Sequence, residues 1–162
     1  AAHVPIELSA DGGAAILHLA RSNPIARAER PAPALLAVSG PDAYVSPDWY
    51  GGADQVPTWN YIAVHLRGTL SPLPPETLRA HLDRVSAHFE AMLPKAPWTM
   101  AKMSEDATAR LTRMILPFRL DIASVDSTFK LNQNKTPEQR AGVIAALEAR
   151  GETGIAGLMK DL

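Results

Sequence analysis

The stretch Trp59-Asn60-Tyr61-Ile62-Ala63-Val64-His65-Leu66-Arg67-Gly68 decides the fold class. Ile62, Val64 and Leu66 alternate on one face, and Trp59, Tyr61, His65 and Arg67 on the other. A period of two with one apolar face is a β-strand with one side on a core. The other face is aromatic and polar. It is solvated, covered by a partner, or turned toward a ligand.

Upstream, two apolar runs, His3–Leu8 and Ala14–Ala20, flank Asp11-Gly12-Gly13 and predict a β-hairpin. Leu17 and Leu19 share one face of its second strand, Ile16 and His18 the other. Asn23-Pro24 ends that strand, and the text to Pro33 reads as a polar, proline-punctuated connection. Leu35–Gly40 predicts a strand, Gly40-Pro41-Asp42 a turn, and Ala43–Ser46 a continuation. Ser46–Gly52 reads as a loop holding Trp49 and Tyr50.

Downstream the pattern turns helical. Leu78, Leu82, Val85, Phe89 and Met92 recur at three and four, predicting one apolar stripe with His81 and His88 at its edge. Ser104-Glu105-Asp106 starts a second helix carrying Ala107, Leu111 and Ile115. Leu116, Phe118, Leu120 and Ile122 then alternate with Arg119 and Asp121 in a strand to about Val125. Thr136-Pro137-Glu138-Gln139 has the form of a capping box, opening a helix that ends at Gly151. A last short helix covers about Thr153–Lys160. Strands, a helical pair, a strand and terminal helices make an α+β fold, a mainly antiparallel sheet or barrel with peripheral helices.

The 162 residues suit one domain, and 14 prolines suit short elements and rigid loops. Sixteen basic and seventeen acidic side chains leave a charge of -1, which argues against a nucleic-acid coat or a polybasic membrane anchor. Cysteine is absent, so disulfides and thiolate chemistry are excluded. No run approaches the roughly 20 apolar residues of a membrane span; a cytoplasmic protein is expected. There is no phosphate-binding glycine loop, no His-x-x-x-His spacing and no Gly-x-Ser-x-Gly elbow.

Three polar segments are candidates for chemistry. In the first, His18–Pro24, Arg21 offers a fork for a phosphate or carboxylate beside Asn23; the alternative is a surface strand end with a turn-forming Asn. In the second, Trp59 and Tyr61 suit stacking on a flat ring, with His65 and Arg67 at its polar edges; a subunit interface explains the same residues. The third, Phe129-Lys130-Leu131-Asn132-Gln133-Asn134-Lys135, sets lysines and amides just before a helix N-terminus, where free N–H groups would favour an anion; a solvated loop is the alternative.

Together these segments resemble the PaiB family of bacterial negative transcriptional regulators, in the flavin-binding split-barrel group. The matching text is Gly40-Pro41-Asp42-Ala43-Tyr44-Val45-Ser46-Pro47-Asp48-Trp49-Tyr50, Val56–Tyr61 with Ala63-Val64-His65 and Gly68, and Phe129–Lys135 with Arg140 and Gly142. His18 and Ala20–Pro24 also fit. The resemblance implies a mainly antiparallel, six-stranded split β-barrel with helices outside, a homodimer with flavin mononucleotide (FMN) at the subunit interface. It makes Arg21, Asn23, Trp59, Tyr61, His65, Lys130, Gln133, Asn134 and Lys135 the expected cofactor-binding residues, with no catalytic residue carried over. The expected function is a regulator responding to a ligand or protein partner, without direct DNA binding; a flavin-dependent oxidoreductase is the alternative. Two departures stand out: a short loop between Tyr50 and Val56, and no text before His3 for the family's usual N-terminal helix and first strand. Residues 1–162 are thus expected to form a single split-barrel domain lacking those two elements.

Overall fold

Left-handed backbone at Gly12 (φ 69°) turns β1 (Ile6–Leu8) back onto β2 (Ala14–Ala20) in the computed structural model, which describes residues 1–162. The turn is held by Asp11, whose carboxylate accepts from the Ser9 hydroxyl at 2.6 Å and the Gly13 N–H at 3.0 Å. Those two donors, the hydroxyl first, hold its pKa below the usual carboxylate value. The predicted hairpin is therefore present, with Ile6 opposite Leu17 and Leu8 opposite Ala15.

Asn23-Pro24 does more than stop β2. The Asn23 side chain accepts from Ile25 N–H at 2.9 Å and caps a one-turn helix, α1 (Pro24–Arg27), inside the predicted polar connection. Next, β3 (Ala32–Val45) runs unbroken through Gly40-Pro41-Asp42, so the turn predicted there does not form. The reason is position. β3 is the edge of the sheet, where a residue without an N–H is tolerated, and a Cβ on Gly40 would come within 3.0 Å of the Ile62 Cβ. Ser46 then caps a 3₁₀ turn, Pro47–Tyr50, within the predicted aromatic loop.

The quoted strand lies within β4 (Thr58–Pro72). Asn60, Leu66 and Leu70 are buried on its even-numbered face, while Trp59, Arg67 and Thr69 are exposed on the odd one. After β4 come α2 (Thr77–Glu90), a 3₁₀ turn at Met100–Lys102, α3 (Glu105–Thr112), β5 (Ile115–Lys130), α4 (Pro137–Ala149) and α5 (Thr153–Lys160). Two boundaries differ from expectation: Ile115 opens β5 instead of closing a helix, and β5 extends five residues past Val125. The stripe on α2 also differs. Leu78 and His81 are its buried residues, whereas Phe89 and Met92 are exposed. The inward seam is 78, 81, 82 and 85, so His81 occupies a core position.

The sheet is antiparallel with order β1-β2-β5-β4-β3, five strands against the six that the resemblance implies. With its peripheral helices it bears out the α+β, split-barrel-like reading. The chain forms two compact units, residues 1–35 with 67–124, and residues 36–66 with 125–162. In the first, Ala15, Leu17, Leu19, Leu78, Phe118 and Leu120 are buried. In the second, Val45, Tyr50, Leu131, Val143, Leu147, Ile155 and Met159 form one apolar cluster, with α4 against α5 and the 3₁₀ turn.

α4 begins as its sequence predicts. Gln139 N–H donates to the Thr136 hydroxyl at 3.3 Å, and Thr136 N–H to the Gln139 side chain at 3.2 Å. Thr136→Ala should therefore lower stability by about 1 kcal/mol, and Thr136→Ser should restore most of it. Urea unfolding curves test this; an unchanged midpoint for the alanine variant would show that the cap is energetically idle.

Candidate functional site

In the second unit, the alternation of β4 puts Trp59 on the outward face, with Tyr61 and His65 half-buried on the same side. Tyr44, from the end of β3, meets the Trp59 ring edge-to-face at 6.1 Å and 75°. The Lys130 ammonium, at the end of β5, donates to the Thr58 hydroxyl, one residue before Trp59. The structure thus brings the second and third polar segments together.

Beyond β5 the chain turns at Asn132, which holds a left-handed φ of 60°. Gln133 closes the turn: its side-chain oxygen accepts from Leu131 N–H at 2.8 Å and its amide donates to the Phe129 carbonyl at 2.5 Å. Asn134 is exposed. The Lys135 ammonium donates to the Gln55 side chain at 2.6 Å and lies 4.5 Å from the centroid of the Tyr50 ring, a cation–π distance. The Tyr50 hydroxyl donates to Asn132 Oδ1 at 3.3 Å, and the buried Asn132 Nδ2 has no partner. Tyr50, Gln55 and Asn132 complete this cluster and were not among the expected cofactor-binding residues, although Asn132 lies in the third polar segment and Tyr50 in the matching text.

The free helix N–H groups expected beside these lysines are engaged. The Thr136–Gln139 box occupies the start of α4, and Glu138 adds a carboxylate in its first turn. Its own backbone N–H, then the Thr136 side chain, hold the Glu138 pKa below the ordinary value. Lys130 and Lys135 bring positive charge here, joined by Arg140, whose guanidinium donates to the Lys135 carbonyl at 3.3 Å. Arg21 and Asn23 lie in the first unit: Arg21 Nε donates to the Arg113 carbonyl at 3.0 Å, and Asn23 is the α1 cap.

His81, expected at a helix edge, is 1% exposed. Its Nδ1 lies 3.2 Å from a Glu7 carboxylate oxygen, and its Nε2 lies 3.1 Å from Nδ1 of His18. The missed signal is that position 81 lies three residues after Leu78 on the same face. No group of three or more His, Asp or Glu side chains could hold a metal ion, and no helix is long and apolar enough to cross a membrane.

An antiparallel sheet with outer helices is a split-barrel-like architecture, and its exposed aromatic strand face edged by lysine is the candidate site. The chain belongs to the family described as "Putative FMN-binding domain", whose model matches residues 1–124, and a flavin is the cofactor this membership supports. It is 31% identical over 132 residues to Protease synthase and sporulation protein PAI 2 of Bacillus subtilis, which bears out the PaiB-type resemblance; the match covers 81% of this chain and 63% of that protein. An uncharacterized protein of Aspergillus fumigatus is 27% identical over 184 residues, covering 89% of this chain and 70% of its own length. Among solved structures, the FAD and heme binding protein from Mycobacterium smegmatis shares the fold, with a TM-score of 0.55 at 19% identity, over 88% of this chain and 63% of that one. The chain spans less than two thirds of the Bacillus relative it matches.

The residues present suit a flavin. An exposed indole offers a surface for a flat ring system, lysines offer charge for a phosphate, and the unpartnered Asn132 Nδ2 is a donor that a ligand oxygen would satisfy.

Proposed function

We propose that the chain is the flavin-binding part of a PaiB-like cytoplasmic regulator, and that FMN is held by the outward face of β4 and the β5–α4 turn. The observation that carries this reading is the exposed Trp59 ring, supported by Tyr44 and set beside Lys130. In this assignment Trp59, Tyr61 and His65 orient the ring system. Lys130 and Lys135 neutralise the phosphate, and Gln133 and Asn134 supply turn amides. When bound, FMN supplies redox chemistry; the protein binds and orients it. Val38, Val56, Val125 and Phe129 are exposed apolar side chains of the same unit and favour a homodimer that covers them.

Regulation is proposed to act through a small ligand or a protein partner. A DNA-binding face would be strongly basic. Here the net charge is -1, and Arg119 pairs with Asp121 at 2.6 Å instead of standing in a basic patch.

The absorbance spectrum of the protein, as purified and after addition of FMN, tests this reading alongside light scattering. A bound yellow flavin in a dimer, without turnover, supports a sensor. Catalytic reduction by NAD(P)H would favour the alternative, a flavin-dependent oxidoreductase. A dimer that takes up no flavin would overturn the cofactor assignment. Lys130→Ala should weaken FMN binding about tenfold through the lost charge-assisted bond, while leaving riboflavin, which has no phosphate, nearly unchanged. Equal losses for both ligands would remove Lys130 from the phosphate site; His88→Ala, on the exposed end of α2, is the inert control.

A further inference from the structure

His81 is buried on α2 and joins two other elements: Glu7 on β1 and His18 on β2. Arg84, one turn further along α2, donates to the second oxygen of Glu7 at 2.5 Å. That contact, chiefly, with help from the His81 hydrogen bond and against a desolvation penalty, holds the Glu7 pKa below its ordinary value. An ionised Glu7 only accepts, so His81 Nδ1 carries the proton in that bond. In a neutral ring His81 Nε2 is then a lone pair, and the 3.1 Å contact requires His18 Nδ1–H as the donor. The chain of bonds has one consistent polarity, from His18 through His81 to Glu7.

Protonation changes that polarity in two stages. A first proton on the imidazole pair keeps the contact, because His18 can switch tautomer and accept from His81 Nε2–H. A second proton leaves two N–H donors facing each other at 3.1 Å, with no lone pair between them, and two positive rings in contact. No further carboxylate is placed to rescue it. β5 presents Pro117 opposite His18, and the next charged residues along it, Arg119 and Asp121, pair with each other. On α2, Asp83 pairs with Arg79 on the exposed side, and Arg27 of α1 donates to the Arg21 carbonyl.

We propose that Glu7, His81 and His18 form a pH-sensitive latch, which fastens α2 to the β1–β2 hairpin and releases it when both imidazoles are protonated. Burial, first, and the neighbouring His81 charge lower the His18 pKa from its ordinary 6.5. A depressed histidine pKa gives stability that is whole above the unfolded value and is lost as pH falls through the folded one. Opening is therefore an acid-side event, in the window below the ordinary histidine pKa. It does not depend on flavin.

Hydrogen exchange of the whole chain, corrected for intrinsic rates, tests the latch between about pH 7.5 and about pH 5. Amides of α2 and β1 should lose at least about tenfold of their protection, while those of α4 and α5 keep theirs. His18→Gln should abolish this step, because the amide donates to neutral His81 and its oxygen accepts from protonated His81. Unchanged α2 protection in the wild type, or the same loss in His18→Gln, overturns the latch. If that variant fails to fold, the imidazole ¹⁵N signals of the wild type decide. Coupled titration of His18 and His81 alongside α2 opening supports the latch, and independent titrations with α2 still closed refute it.

Discussion

Gly68→Ala is expected to destabilise the protein by about 3 kcal/mol or more, at the upper end of what overpacking costs. A Cβ at this position would stand 1.9 Å from the Asp121 carbonyl oxygen, 2.8 Å from its carbon and 3.1 Å from Ile122 Cα. These are backbone atoms of β5, so no rotamer change relieves the contact. Nor is β5 free to retreat. Ala14 pairs with Asp121, and Ile122 N–H donates to the Gly13 carbonyl at 2.9 Å, fixing the strand against β2. Relief requires parting β4 from β5 in the middle of the sheet. For a chain of this length the loss corresponds to a fall in Tm of roughly 6–12 °C. Thermal unfolding followed by circular dichroism measures it. A Cβ on Gly157, in α5, meets nothing within 4 Å, so Gly157→Ala should be neutral or slightly stabilising. A Gly68→Ala protein that melts with the wild type would mean that the strands do not approach as closely as described.

Gly68 also shows where sequence reading stops. Its place at the end of an alternating strand was legible, but the carbonyl it makes room for belongs to a residue 53 positions later. The features read correctly are those whose cause is local. The period of β4, the Asp11–Gly13 turn and the Thr136–Gln139 cap each depend on residues a few positions apart. The errors have remote causes. Gly40-Pro41-Asp42 carries turn residues, yet β3 continues, because an edge position frees Pro41 from donating and Ile62 needs the space at Gly40. His81 follows a leucine seam but is polar, and only Glu7 and His18, 74 and 63 residues away, make its burial affordable. The site follows the same rule. As candidates, Trp59, Tyr61 and His65 are legible through alternation, and Lys130 and Lys135 through local composition. The contacts of Tyr50 with Asn132 and of Gln55 with Lys135 emerge only when the 3₁₀ turn and the loop after it meet the β5–α4 turn. Solvent-facing aromatics on a strand are a local signal; a cluster assembled from remote turns is not.

Trp59→Ala should weaken FMN binding by about 5- to 150-fold, the equivalent of the roughly 1–3 kcal/mol that stacking a heteroaromatic ring on an aromatic side chain supplies. The site chemistry, not the fold, sets this figure. Trp59 is 54% exposed and its one ring contact is the edge-to-face pair with Tyr44, itself 41% exposed, so truncation opens no core cavity. Unfolding midpoints should stay within about 0.5 kcal/mol of wild type, which separates lost binding from lost structure. Trp59→Phe should recover part of the affinity, since a smaller ring still offers a face. Quenching of flavin fluorescence on titration reads the constants, and light scattering on the same samples reports whether dimerisation changed. Because the proposed ligand and the proposed partner subunit would both cover this face, the two effects must be read together. A drop in affinity with the dimer intact assigns Trp59 to the flavin, whereas loss of both assigns it first to the interface. Full affinity in a dimeric Trp59→Ala protein would move the ring off this strand, leaving Lys130 and Lys135 without the neighbour that makes them a phosphate site.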